Sequence, residues 1–238
     1  MDERELIPNE NIVEIEHAYI DYPLRKYTIR AVTDGSLNLK RGKITALVGE
    51  SGSGKTTLAS SILQCISEPG VLSGGEVRFY PAQGEVIPIH ALGEKQINRF
   101  RWEKASMVFQ AAQSALNPVY TVGSQFEETI REHGLGWTKE QMRDKMREVL
   151  DYVKLDYDRV VRCYPHELSG GMKQRVMIAF SLLLDPELII LDEPTTALDV
   201  ITQDYIFGIL KRINEEKGIS MLLMTHDIGI VAKFADYV

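Results

Sequence analysis

Ile44-Thr45-Ala46-Leu47-Val48-Gly49-Glu50-Ser51-Gly52-Ser53-Gly54-Lys55-Thr56-Thr57 decides the architecture of this 238-residue chain. Ile44 to Val48 is nearly all apolar, as expected of a strand buried on both faces, and it runs straight into a glycine-rich turn. Thr57 to Ile66 follows with helical composition, so strand, loop and helix come in the order a phosphate-binding loop needs. The glycines of this turn permit positive φ angles and close backbone approach. N–H groups from Gly52 to Thr57 can cradle a phosphate, Lys55 can reach it as a point charge, and Thr56 can give its hydroxyl to Mg²⁺.

With 44% hydrophobic and 26% charged residues the chain can bury a substantial core, and its length permits one large domain or two small ones. The net charge of −7 gives no footprint for nucleic acid, and no such partner is expected. Cys65 and Cys163 stand far apart without metal-ligand spacing, so neither a disulfide framework nor a zinc site is indicated. The start, Met1-Asp2-Glu3-Arg4-Glu5, is acidic rather than a basic leader, and apolar runs such as Phe180 to Leu184 fall well short of a bilayer span. Work at a membrane would require docking onto another chain.

Outward from the loop, Val13 and Ile15 alternate with Glu14 and Glu16, and Leu37 to Leu39 and Glu76 to Phe79 behave alike, predicting an antiparallel sheet near the N-terminus. From Gln110 to about Ser169 the β pattern fades. There Thr138 and Gln141 form a capping box ahead of a helix with Met142, Met146, Val149, Leu150 and Val153 on one face. The charges along it (Lys139, Glu140, Arg143, Asp144, Arg147, Glu148) read as a solvated surface. Beyond Gly171, helix and strand alternate: a helix to about Leu184, Leu188 to Leu191 as strand, a helix from Gln203 to Glu216, and Ser220 to Met224 as strand. This is the signature of a parallel sheet with covering helices.

Three further sequences carry chemistry. Asp192 and Glu193 end the apolar strand Leu188 to Leu191, at the carboxyl edge where open α/β sheets bind ligands. Asp192 suits Mg²⁺, usually through water, and Glu193 suits proton abstraction from an attacking water. His226 follows the strand Ser220 to Met224 and would contact a γ-phosphate and orient that water; His17, His90, His133 and His166 have no comparable placement. Leu168-Ser169-Gly170-Gly171 opens a helix expected near Met172, a second helix N-terminus suited to an anion. Leu72-Ser73-Gly74-Gly75 repeats those four letters before a strand pattern and reads as a turn.

Together the glycine loop (Walker A), Gln110 after Met107-Val108-Phe109, Leu168 to Arg175, Leu188 to Glu193 (Walker B), Ala197-Leu198-Asp199 and His226 resemble the ATP-binding subunit of ABC transporters, from about Ile12 to Ala235. Met172 stands where many members have glutamine. Ser114-Ala115-Leu116-Asn117-Pro118, Tyr164-Pro165-His166-Glu167 and Pro194 to Val200 are similar to the dipeptide/oligopeptide importer branch, whose relatives also carry oligosaccharides or nickel. Members usually continue past the position of Val238 with a cysteine-bearing extension, so a truncated chain or a short member is expected.

The resemblance implies an α/β P-loop NTPase core with a mostly parallel sheet, an N-terminal antiparallel β subdomain and an inserted α-helical subdomain. One nucleotide-binding domain would span 1–238, with 1–109 and 170–238 as ATP-binding core and 110–169 as the helical part. It implies ATP and Mg²⁺ and a second ATP-binding subunit, identical or homologous, meeting this one head to tail. It also implies two membrane-spanning permease subunits, an extracytoplasmic solute-binding protein acting indirectly, and a peripheral place at the cytoplasmic face of the membrane. Ser169, Gly170 and Gly171 would meet the nucleotide held by the partner's loop. Gln110 would contact Mg²⁺ and relay nucleotide state, and Asp199 would couple the two sites. Adenine would stack on Tyr22 or, second, Tyr27. The rivals are a soluble ABC ATPase of DNA repair or translation, which would carry long coiled coils or paired domains, and a nucleotide kinase, which needs neither the Ser169 sequence nor His226.

Overall fold

The structure is a computed structural model that describes residues 9–110, 114–196 and 198–238; the acidic start Met1 to Glu5 and Ala197 lie outside the described residues. In chain order the elements are β1 (Asn11–Pro23), β2 (Thr28–Lys40), β3 (Ile44–Val48), α1 (Lys55–Ser60), β4 (Val71–Phe79), β5 (Ile87–Pro88), α2 (Glu94–Glu103) and β6 (Ala105–Val108). There follow α3 (Val122–Glu132), α4 (Lys139–Tyr152), α5 (Tyr157–Val160), α6 (Gly170–Ser181), β7 (Leu188–Asp192), α7 (Val200–Lys217), β8 (Ser220–Thr225) and α8 (Ile228–Phe234). Two compact units result, Met1–Phe100 with Ser220–Val238, and Arg101–Ile219. The first boundary falls within α2, whose helical backbone is broken at Arg101 and Trp102.

In the first unit an antiparallel sheet runs in the order β2-β1-β4-β5, as the alternation of Val13 and Ile15 predicts. Ile12, Val13, Ile15, Ala18 and Ile20 of β1 are fully buried with Val77 and Phe79 of β4. Each of the larger of these side chains, Ala18 excepted, contributes about 1.5–3 kcal/mol. Leu72 to Gly75 is part of β4 and not the turn its letters suggest: Tyr19 pairs with Gly74 and Ile20 with Leu72. The ladder bulges between Glu16 and Tyr19, where Gly75 has φ +85°. A Cβ there would lie 2.3 Å from the His17 carbonyl oxygen, so the glycine exists for a bulge, which a four-letter sequence does not reveal. β3 and β8 form a parallel pair from Ile44↔Met221 to Val48↔Thr225. The helix predicted to reach Ile66 ends at Ser60 and tightens to a 3₁₀ turn over Ser61–Leu63. Gln64, left-handed at φ 45°, then turns its side-chain amide onto the Ile89 carbonyl.

In the second unit β6 and β7 pair in parallel, from Ala105↔Leu188 to Val108↔Leu191. Helices α3 to α5 occupy much of the stretch in which the β pattern fades, and α6 begins just beyond it. Thr138 and Gln141 make the reciprocal capping box at 2.8 and 3.2 Å, and Met142, Met146, Val149, Leu150 and Val153 are buried while the charged run is exposed. Phe126 of α3 stacks on Phe180 of α6 with ring centroids 3.9 Å apart. No helix among the described residues is long and apolar enough to cross a membrane.

Candidate functional site

In the first unit, the Val48↔Thr225 register brings the carboxyl ends of β3 and β8 level. The glycine loop therefore leaves one strand where Thr225-His226-Asp227 leaves its neighbour. Gly52 and Gly54 take φ +82° and +90°, and a Cβ on Gly54 would lie 2.9 Å from the Ala31 carbonyl oxygen. That carbonyl excludes any side chain from the residue that caps α1. Lys55 Nζ donates to the Gly49 and Glu50 carbonyls at 2.7 Å each and lies 3.5 Å from Ser53 Oγ, closing the loop around its ammonium. Thr56 and Ser51 are exposed and Thr57 is half-buried. His226 is exposed in a turn pinned on both sides: Thr225 Oγ1 accepts from the Asp227 N–H at 3.1 Å, and Asp227 caps α8 through Gly229 N–H at 2.8 Å. Tyr22, half-buried on β1, lies with its ring against Gly70, where a Cβ would be 2.7 Å from Cε1. Tyr27 is 63% exposed in the turn to β2.

In the second unit, Val108↔Leu191 sets Gln110 two residues beyond β6 beside Asp192 and Glu193 at the end of β7. Asp192 is 4% exposed. Glu193 has φ 45°, a left-handed backbone that costs a non-glycine residue about 1–3 kcal/mol and marks a site held by its surroundings. Its Oε2 accepts from Gln110 Nε2 at 3.3 Å and from Thr196 Oγ1 at 2.9 Å. Two of the candidate residues, 83 positions apart, thus share one hydrogen bond. Thr196 is a site residue the sequence reading passed over; its only signal is a hydroxyl three positions after Glu193, within reach once the chain turns.

Ser169 caps α6, its Oγ accepting from the Met172 N–H at 3.3 Å. Asp199 caps α7 in the same way, accepting from the Thr202 N–H at 2.9 Å and the Thr202 hydroxyl at 2.6 Å. The Thr202 hydroxyl, then its N–H, hold the Asp199 carboxyl below the ordinary carboxylate range. Ser169, Gly170, Gly171 and Asp199 line one cavity of about 520 Å³ together with Arg175, Leu198, Ile201, Thr202 and Tyr205. A Cβ on Gly171 would lie 2.9 Å from Thr202 Cγ2, so that glycine lets the first turns of α6 and α7 approach. Arg175 and Tyr205 were not among the candidates.

The ABC transporter family profile matches residues 32–196. The chain is 39% identical over 227 residues to the dipeptide transport ATP-binding protein DppD of Caldanaerobacter subterraneus, covering 95% of this chain and 68% of that protein. It is 41% identical over 212 residues to the glutathione import ATP-binding protein GsiA of Salmonella typhimurium, covering 88% of this chain and 34% of that one. Among solved structures it is similar to a dimeric post-hydrolysis state of an ATP-binding cassette bound to ADP and Pi. There the TM-score is 0.79 at 33% identity, with 94% of this chain and 91% of that one covered.

Proposed function

The chain belongs to the ABC transporter family, and from that premise we propose that it is the ATP-hydrolysing subunit of an importer of dipeptides or oligopeptides, peripheral at the cytoplasmic face of a membrane. It acts as one nucleotide-binding domain with residues 110–169 as its helical part. Its partners are a second such subunit, two permease subunits and, indirectly, a solute-binding protein. Support for the cargo class is the naming of its relatives as dipeptide, peptide and glutathione import proteins.

The single observation that carries the reaction is the Glu193 carboxylate, fixed at a strand's end by Gln110 and Thr196. Glu193 takes a proton from water while the water oxygen bonds to the γ-phosphorus, the bond to the β–γ bridging oxygen breaks, and ADP leaves. Lys55 and the N–H groups from Gly52 to Thr57 hold the phosphates, and Gly49, Ser51 and Ser53 shape that loop. His226 orients the water, and Tyr22, ahead of Tyr27, stacks on adenine. Among the described residues no group of three or more His, Cys, Asp or Glu is placed to hold a metal ion. The hydroxyl, amide and carboxylate oxygens of Thr56, Gln110 and Asp192 fit Mg²⁺, which takes few protein ligands and completes its shell with phosphates and water. When bound, that ion neutralises charge on the phosphate oxygens. Ser169, Gly170 and Gly171 serve a nucleotide held by the partner, and Asp199 couples the sites.

Glu193→Gln is expected to bind ATP normally and lose about 10²- to 10⁴-fold in phosphate release, the range general-base catalysis supplies. Lys55→Ala is expected to lose nucleotide binding in a calorimetric titration. Near-normal hydrolysis by Glu193→Gln would remove the base assignment. Absence of ATP binding by the unaltered chain would remove the reading altogether, and reconstitution with permease and binding protein tests the cargo by which solute stimulates turnover.

A further inference from the structure

Three helices of the second unit meet around one guanidinium. Arg175, on the second turn of α6, donates from Nη1 to the Lys154 carbonyl at 2.9 Å and the Val153 carbonyl at 3.3 Å, the first two residues past α4. Its Nε donates to the Gly171 carbonyl at 3.4 Å, in the first turn of its own helix. Its Cζ lies 5.4 Å from the centroid of the Tyr205 ring on α7. The same side chain lines the cavity that holds Ser169, Gly171 and Asp199.

Other cations gather at that end of α4, where a helix presents unpaired carbonyls and the negative pole of its dipole. Arg212 donates to the Tyr152 carbonyl, and Lys217 Nζ lies 4.7 Å from the Tyr152 ring. Those two hold α4 without lining the cavity. Arg175 does both.

We propose that Arg175 is a positioning residue for the Ser169–Gly171 half-site, tying the first turn of α6 to the end of α4 and to Tyr205. A shift of the end of α4 therefore reaches the Ser169 hydroxyl and the neighbouring N–H groups through one side chain. The planar fork is what the role requires: it spans three carbonyls while its Cζ lies over an aromatic ring. A lysine ammonium, a point donor on a flexible stem, cannot reproduce this. The proposal rests on the reading of Ser169 to Gly171 as a phosphate contact.

The test compares Arg175→Gln and Arg175→Lys with Arg212→Gln, which weakens the same end of α4 away from the cavity. Hydrogen exchange at the Met172 and Lys173 amides is expected to quicken about tenfold or more in both Arg175 variants and to stay at the unaltered rate in Arg212→Gln. ATP turnover at saturating protein should fall about tenfold in kcat with little change in KM, the split expected when a group is misplaced and nucleotide binding is intact. Unchanged exchange in the Arg175 variants, equal effects in the Arg212 variant, or full activity of Arg175→Lys would overturn the proposal. Should Arg175→Gln not fold, Arg175→Lys carries the comparison. An unaltered chain without ATPase activity would count against the proposed function, while the exchange rates would still decide the role of Arg175.

Discussion

Gly52 and Gly54 separate two reasons for a glycine. Both have positive φ, but a Cβ on Gly52 meets nothing within 4 Å, whereas one on Gly54 lies 2.9 Å from a backbone oxygen. Gly52→Ala should therefore cost only the backbone penalty, about 1 kcal/mol. Gly54→Ala should cost more, because the contact is with main chain and cannot swing aside. Thermal denaturation reads the difference as a further fall of about 2–4 °C per kcal/mol, and ATP titration of Gly54→Ala should show weakened binding. At this scale the strand, the glycine turn and the start of the helix were legible in the sequence, since glycine spacing is a local property. The Gln110–Glu193 bond and the Thr196 hydroxyl beside it were not, because strand register, which no local window contains, decides what lies next to Glu193. In the sequence Arg175 is only the last letter of a motif, and its three-way contact depends on how α4, α6 and α7 pack.

At the scale of elements, α4 matches its predicted cap and buried stripe closely, because both follow from spacing within one helix. Its tertiary ion pairs do not. Glu148 belongs to a ring of alternating charge: Lys145 bonds Glu148 at 3.0 Å and Asp185 at 2.6 Å, while Lys217 bonds Glu148 at 2.7 Å and Asp185 at 3.3 Å. Burial acts to raise the Glu148 carboxyl, and the bonds from Lys217 and Lys145 outweigh it, leaving the group below its ordinary value of 4.5. Burial acts to lower the Lys217 ammonium, and the Glu148 bond and Asp185 charge outweigh that, leaving it above 10.5. A depressed carboxyl stabilises the fold above its unfolded value and ceases to as pH falls through the folded one. A raised ammonium stabilises below its unfolded value and ceases to as pH rises through the folded one. The ring is thus intact between about pH 5 and pH 10. With Glu148 42% exposed, solvent screening limits its share to about 1 kcal/mol. Glu148→Gln should lower the melting temperature by about 2–4 °C at pH 7, and the gap should close below about pH 4.5. The helix expected to run to Ile66 and the turn expected at Leu72 to Gly75 erred for one reason: packing against Ile89 and pairing with β1 override local preference.

At the scale of the whole molecule, the proposed reading gives each chain one phosphate loop and one Ser169–Gly171 cap for its partner's nucleotide, so ATP is expected to be hydrolysed only in pairs. Turnover per chain should rise with protein concentration and level off, with the dimer measured alongside by sedimentation. Ser169→Ala should still bind ATP through its own loop while turnover is lost at every concentration. The parallel pairing of β3 with β8 has a consequence for how the protein is made. Gly42, just ahead of β3, donates its N–H to the Ser220 hydroxyl at the start of β8, 178 residues later. At about 5–20 residues per second a ribosome needs roughly 10–40 s to bridge that interval. For most of it the glycine loop sits at the end of a strand that lacks its β8 neighbour, while the segment destined for the second unit, continuous from Arg101 to Ile219, is free to fold as it emerges. Birth order thus runs against chain order: the glycine loop, made early, gains its neighbouring strand only after the whole segment of the second unit has been made.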